Sequence, residues 1–204
     1  MKFIEKFGTK YERVFADDLK LLILDLYKKV KSSKYQPDCI ITLARGGFFP
    51  TRYYSDFSGI TEVYTIRVEH YVGETKIVEK PRITQDLPPI NLSKKRVILI
   101  EDVADSGKSL KEAVNHIKKY KPKELRVGVL YLKPWSIFKP DYYVRETDAW
   151  VLFDWEQREI AEGLLNKEEM KPLSPAQKRK ELEDLGIQKE VIDLILEERG
   201  IMFG

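Results

Sequence analysis

Two hydrophobic rhythms alternate along the chain. Continuous apolar or β-branched runs at 39–43, 61–68, 97–101, 125–132 and 149–153 read as strands, most of them buried on both faces. Between them the period changes to that of a helix. Residues 16–31 put Leu19, Leu22, Ile23, Leu26 and Val30 on one stripe, and 109–120 do the same with Leu110, Val114 and Ile117. Phe48 to Phe57 suits a short helix, with Pro50 tolerated in its first turn. Buried strands alternating with helices predict an α/β fold: an open, mostly parallel five-stranded sheet with helices on both faces.

Periodicity is lost from 69 to 90, where Gly73, Pro81, Pro88 and Pro89 sit among charges. After Glu156 the pattern is purely helical. Segments 159–166, 174–185 and 188–199 carry an N-cap serine with an N1 proline (Ser174-Pro175) and stop glycines at Gly186 and Gly200. A small C-terminal helical bundle is therefore expected. The predicted division is a core over 1–156 and an appendage over 157–204.

The candidate chemistry lies where the 97–101 strand ends. Glu101 and Asp102 are followed by a small-residue loop, Val103-Ala104-Asp105-Ser106-Gly107-Lys108-Ser109, and then by a helix. A helix N-terminus presents free N–H groups and the positive end of its dipole, so a glycine- and serine-rich approach to it makes an anion site. Gly107-Lys108-Ser109 also ends like a nucleoside-triphosphatase P-loop, but that pattern needs glycine at 102, where the chain has Asp102. Two carboxylates beside a phosphate cradle suit a sugar phosphate instead. The segment resembles the signature of the type I phosphoribosyltransferases, which bind 5-phosphoribosyl-1-pyrophosphate (PRPP). The resemblance implies that Glu101 and Asp102 hold the ribose hydroxyls and Mg2+. It further implies that Asp105, Ser106, Gly107, Lys108 and Ser109 anchor the 5′-phosphate, with Asp105 also exchanging a proton with the base.

A second glycine pair, in Ala44-Arg45-Gly46-Gly47, follows the 39–43 strand. Taken alone it fits a glycine turn with a surface arginine. By resemblance it is the family's pyrophosphate loop, with a cis Ala44–Arg45 peptide. The aperiodic stretch 69–90 stands where the family carries the mobile loop that closes over PRPP.

Further on, Lys133 ends a strand, Lys139-Pro140-Asp141 makes a turn, and Trp150, Val151 and Asp154 follow. This order resembles the base-binding end of the 6-oxopurine phosphoribosyltransferases. Carried over, Lys133 lies near the 6-substituent, Trp150 stacks on the purine, Val151 offers backbone groups, and Asp154 reaches a metal. Without the resemblance, Trp150 fits core packing and Lys133 a surface position equally well. The helical tail resembles instead that of the crenarchaeal adenine phosphoribosyltransferases. Lys133 favours a 6-oxopurine; the tail favours adenine, and as the feature that discriminates over the whole chain it puts adenine first. A PRPP-sensing regulator is the alternative of another class.

Composition narrows the partners. A net charge of +3 over 204 residues gives no case for nucleic acid, and the Lys178-Arg179-Lys180 run is offset by Glu181, Glu183 and Asp184. One cysteine excludes an internal disulfide, and no run of 18 apolar residues occurs, so a cytoplasmic protein off the membrane is expected. Two histidines and one cysteine offer no zinc spacing. The family implies a homodimer.

Overall fold

A computed structural model describes residues 2–71 and 80–201. The chain divides into two compact units, one of residues 20–147 and one of residues 1–19 with 148–204. This division differs from the expected break at 156: the chain's first residues join its C-terminal part.

In the larger unit a six-stranded sheet has the order β5-β4-β3-β6-β7-β8. Its strands are β3 (Cys39–Ala44), β4 (Val63–Tyr71), β5 (Lys80–Gln85), β6 (Arg96–Ala104), β7 (Glu124–Leu132) and β8 (Tyr142–Glu146). All pairs are parallel except β4 with β5. The helices are α1 (Ala16–Ser32), α2 (Phe48–Ser58) and α3 (Lys108–Lys118). Residues Leu110, Val114 and Ile117 of α3 share a core with Cys39, Ile41, Val97, Leu99, Val127 and Val129. The alternate residues of the same strands face the other way: Leu26 of α1 and Ile98 both lie against Gly128. Both faces are thus covered, which explains the unbroken apolar runs. Burial pushes the Cys39 thiol up to about 11, so the single cysteine behaves as a core hydrophobe.

The sheet departs from the expected five strands, and each departure has a local cause. β5 hides behind Pro81 and its charges. A proline is tolerated there because β5 is an edge strand. β8 is the other edge, short and only part-buried, and Asp141 of the Lys-Pro-Asp turn sets its start by accepting from the Val127 N–H at 2.7 Å. The expected strand at 149–153 shrinks to β9 (Trp150–Leu152) and belongs to a different sheet. It pairs in parallel with β2 (Thr9–Arg13), which forms a hairpin with β1 (Lys2–Lys6). The hairpin turns at Phe7 and Gly8, both at positive φ. The helix-free first 15 residues, to which no element was ascribed, therefore supply two strands.

The second unit carries the helices α4 (Gln157–Leu165), α5 (Pro175–Asp184) and α6 (Lys189–Glu198). Ile160, Leu164, Leu182, Ile192 and Ile195 pack in one core with Tyr11 of β2 and Leu152 of β9. Ser174 and Gln177 close a reciprocal capping box on α5. Among the described residues no helix is long and apolar enough to cross a membrane.

Within the aperiodic stretch 69–90, residues 69–71 and 80–85 are strand; residues 72–79, part of the expected mobile loop, lie outside the described residues. Beyond β5, Asp86 accepts from Tyr120 at 2.8 Å and meets His116 Nε2 at 2.6 Å, tying this end to α3 and its following turn. The His116 hydrogen bond holds the Asp86 carboxyl below its usual range.

At the opposite end of the sheet, Arg96 grips Asp38 with Nη2 at 2.8 Å, Nε at 3.1 Å and its backbone N–H at 2.7 Å. These bonds lower the Asp38 carboxyl from 3.8 to about 2. A depressed folded value means the stabilisation is complete above the unfolded value and disappears as pH falls through the folded one. Asp38→Asn is expected to flatten the fall of Tm between about pH 4 and pH 2. The loss at pH 7 and the flattening are the same quantity by linkage, and solvent screening keeps both modest because the two side chains are about one-third exposed. Thermal melts across pH 2–7 check this.

Candidate functional site

The strand order places the site. From β3 the chain moves outward through α2 to β4; from β6 it moves the other way through α3 to β7. The switch point is the crevice between β3 and β6, at their carboxyl ends, where open α/β sheets bind ligands. Register does the rest. Thr42 pairs with Ile100, so the chain leaving β3 at Ala44 runs beside Glu101 and Asp102. Gly46 lies so close that a Cβ on it would stand 2.5 Å from Asp102 Oδ2 and 2.6 Å from Glu101 Oε1. The Ala44–Arg45 peptide is cis, and Gly47 N-caps α2 with its N–H on the Leu43 carbonyl at 2.9 Å. Arg45 is exposed.

The two carboxylates are turned into their own backbone. Glu101 Oε1 accepts from the Asp102 N–H at 3.0 Å, and Asp102 Oδ1 from the Val103 N–H at 2.6 Å, which orients both at the strand's end. Asp102 is buried and Glu101 part-buried. The loop beyond them turns at Gly107 (φ 76°) into the first residue of α3. Ser106 Oγ accepts from the Lys108 N–H at 3.4 Å. Asp105 and Lys108 are exposed, while Gly107 is buried beneath a second segment.

That segment, 133–138, connects β7 to β8 and runs alongside the phosphate-type loop. Lys133 N–H donates to the Ala104 carbonyl at 3.0 Å, and Ile137 N–H to the Ser106 carbonyl at 3.1 Å. Between these two ties Trp135 Nε1 donates to Asp105 Oδ1 at 2.9 Å. The Lys133 side chain is buried, its ammonium 5.5 Å from the centroid of the Trp135 ring. Lys133 is thus not a surface lysine.

In the other unit, Trp150 is 59% exposed on β9, which removes core packing as its role, while the next residue, Val151, is buried. Trp155 instead stacks on Phe153, rings 4.5 Å apart and 7° from parallel. Asp154 pairs with the buried Arg13, whose Nη2 also donates to the Gly186 carbonyl at 3.1 Å. Among the described residues no three His, Cys, Asp or Glu side chains gather at metal-ligand spacing. The pair Glu101–Asp102 nevertheless suits Mg2+, a hard cation held by one or two carboxylates together with substrate oxygens.

Residues 14–167 match the model of the phosphoribosyl transferase domain. The chain belongs to that family. Among solved structures, a purine phosphoribosyltransferase from Pyrococcus horikoshii is 35% identical, with a TM-score of 0.65 over 71% of this chain and 93% of that one. Among curated proteins, the hypoxanthine-guanine-xanthine phosphoribosyltransferase of Plasmodium falciparum is 23% identical over 142 residues. The human phosphoribosyltransferase domain-containing protein 1 is 27% identical over the same length. Both matches cover 63% of this chain and 61% of the relative's length.

The phosphoribosyl transferase domain, as matched, ends within the turn after α4, so α5 and α6 lie outside it. Two residues of the structure have no counterpart in the local sequence pattern. Trp135 is marked only by its place two positions after the strand-end lysine. Arg13 is not marked at all, because its partners Asp154 and Gly186 are more than 140 residues away.

Proposed function

We propose that this chain is a purine phosphoribosyltransferase, transferring the 5-phosphoribosyl group of PRPP to N9 of a 6-oxopurine with release of pyrophosphate. The observation that carries the reading is the packing of Gly46 against Glu101 and Asp102 at the switch point, beside the N-terminus of α3. One crevice then offers donors for two phosphate groups and acceptors for a ribose between them.

In this reading the Ser106–Ser109 amides and hydroxyls receive the 5′-phosphate, helped by the dipole of α3. Glu101 and Asp102 accept from the ribose hydroxyls and keep the anomeric carbon in line between base and leaving group. Arg45 and the amides at Gly46 and Gly47 take up charge on the departing pyrophosphate. Mg2+, held by Glu101 and Asp102 together with PRPP, supplies further neutralisation of that charge when bound. Asp105, exposed above the loop, takes up or returns a proton at the purine's imidazole edge.

The base follows from donor chemistry. A lysine ammonium only donates, so Lys133 suits the O6 acceptor of hypoxanthine, guanine or xanthine and not the adenine amine. The Plasmodium relative bears the name of all three bases. This reverses the order that the tail alone suggests. Adenine remains the second reading on two observations: the three-helix C-terminal unit, and the engagement of the Lys133 ammonium with the Trp135 ring. For Trp150 and Val151, stacking and backbone contacts to the base remain what the family resemblance implies. The Arg13 pair makes Asp154 primarily an anchor of its own unit, so its metal role ranks below that of Glu101 and Asp102.

Initial rates with PRPP and Mg2+ against adenine, hypoxanthine, guanine and xanthine test the proposal. Turnover of hypoxanthine, guanine or xanthine is the expected result. Turnover of adenine alone would give the second reading. Silence with every base while PRPP still binds would leave a PRPP-sensing regulator.

A further inference from the structure

The 133–138 segment is fastened to the phosphate-type loop on both sides of Asp105, by Lys133 N–H on the Ala104 carbonyl and Ile137 N–H on the Ser106 carbonyl. Trp135 occupies the middle of the segment as Asp105 occupies the middle of the loop. The two side chains meet at 2.9 Å, indole N–H to carboxylate oxygen. The opposite property of the same ring, its electron-rich face, receives the Lys133 ammonium at 5.5 Å. One side chain therefore touches both the carboxylate assigned to proton transfer and the lysine assigned to the 6-substituent.

Trp135 is 54% exposed, and its burial does not account for these contacts. Around it the segment is already held by backbone hydrogen bonds, including Ser136 N–H on the Lys133 carbonyl at 3.0 Å. The fold does not need an indole at this place; a carboxylate and an ammonium that must keep a fixed separation do.

We propose that Trp135 is a positioning residue for purine transfer, its N–H fixing the Asp105 carboxylate and its ring face fixing the Lys133 ammonium. The N–H holds one carboxylate oxygen and leaves the other for the imidazole edge of the base. The ring keeps the lysine ammonium in place for the 6-substituent. This inference rests on the transferase reading, and the two fail separately.

The wild-type rates with PRPP and each purine come first; silence there overturns the transferase reading. With an active wild type, Trp135→Phe keeps the ring and loses the donor. Its kcat is expected to fall about tenfold with KM values for PRPP and purine unchanged, as loss of one hydrogen bond to a charged group implies. Trp135→Leu loses both contacts, and its purine KM should also rise about threefold. Parental kcat in Trp135→Phe, or a rise in PRPP KM alone, would overturn the inference. Should both variants misfold, a chain that keeps Trp135 still decides. Compared between the parental chain and Asp105→Ala, in which Trp135 is kept, the Trp135 indole N–H resonance must move, and an unmoved resonance would overturn the assignment.

Discussion

Asp105→Asn is expected to lower kcat for purine transfer by about 10²- to 10⁴-fold, the usual worth of a positioned general acid or base, while PRPP affinity stays near its parental value. The structure makes this a clean substitution. Asn keeps an oxygen that can accept from Trp135 Nε1, now 2.9 Å from Asp105 Oδ1, so the loop loses a proton carrier and not a tie. Asp105 is also exposed, so the change opens no cavity. The amides and hydroxyls of Ser106–Ser109 are untouched and should still hold the 5′-phosphate. Single-turnover rates beside PRPP titration separate the two quantities. Equal losses in both would show that Asp105 holds PRPP and carries no proton.

Gly107→Ala should do the opposite, weakening PRPP binding and lowering turnover at subsaturating PRPP in step with it. Gly107 has φ 76°, and a Cβ there would stand 2.6 Å from the Phe138 backbone nitrogen and 2.6 Å from Ser136 Oγ. The left-handed backbone costs an L-residue about 1–2 kcal/mol, and forcing atoms into a packed site adds about 1–3 kcal/mol. Backbone nitrogen cannot move aside as a side-chain tip can, so the loop or the 133–138 segment must shift. If that cost falls on the binding-competent loop, PRPP affinity drops about 30-fold or more. Gly59→Ala is the control. Its φ of 71° imposes the same backbone cost, with nothing within 4 Å of the added Cβ and no part in the crevice. It should bind PRPP as the parent does and lose only a few degrees of Tm. Equal PRPP affinity in the two variants would show that close packing at Gly107 is irrelevant.

Much of the larger unit was legible from local pattern. The runs ending at Leu43, Ile100 and Leu132 are buried on both faces, and a doubly covered strand must be apolar at every position. α1 was readable from the stripe Leu19, Leu22, Ile23, Leu26 and Val30, all buried as the 3.6-residue period requires. Ser174-Pro175 announced α5 because a cap is written within four residues. The phosphate-type loops stood out for the same reason: strand end, small residues and helix start are contiguous.

Edges and partners were not legible. β5 and β8 are edge strands, with one side unpaired, so proline and charge are tolerated and the apolar signal weakens. Three residues of β9 read as strand, but their partner is β2, more than 130 residues earlier, and no local rule names it. The base-side residues suffered most. Burial of Lys133 removes only its reading as a surface lysine, and its contact with the Trp135 ring and the pairing of Asp154 with Arg13 are set by residues that no local pattern names.

The amino-acid sequence by itself determined the helices and the doubly covered strands, the α/β class of the larger unit, and the two loops built from consecutive residues, because those depend on periodicity and on chemistry within about ten positions. Only the tertiary structure decided that the two loops share one crevice, that β2 pairs with β9, and that Trp135 sits on Asp105. Each of these is a choice of partner across the chain. It is made by strand register and by the packing of side chains, neither of which a single segment carries.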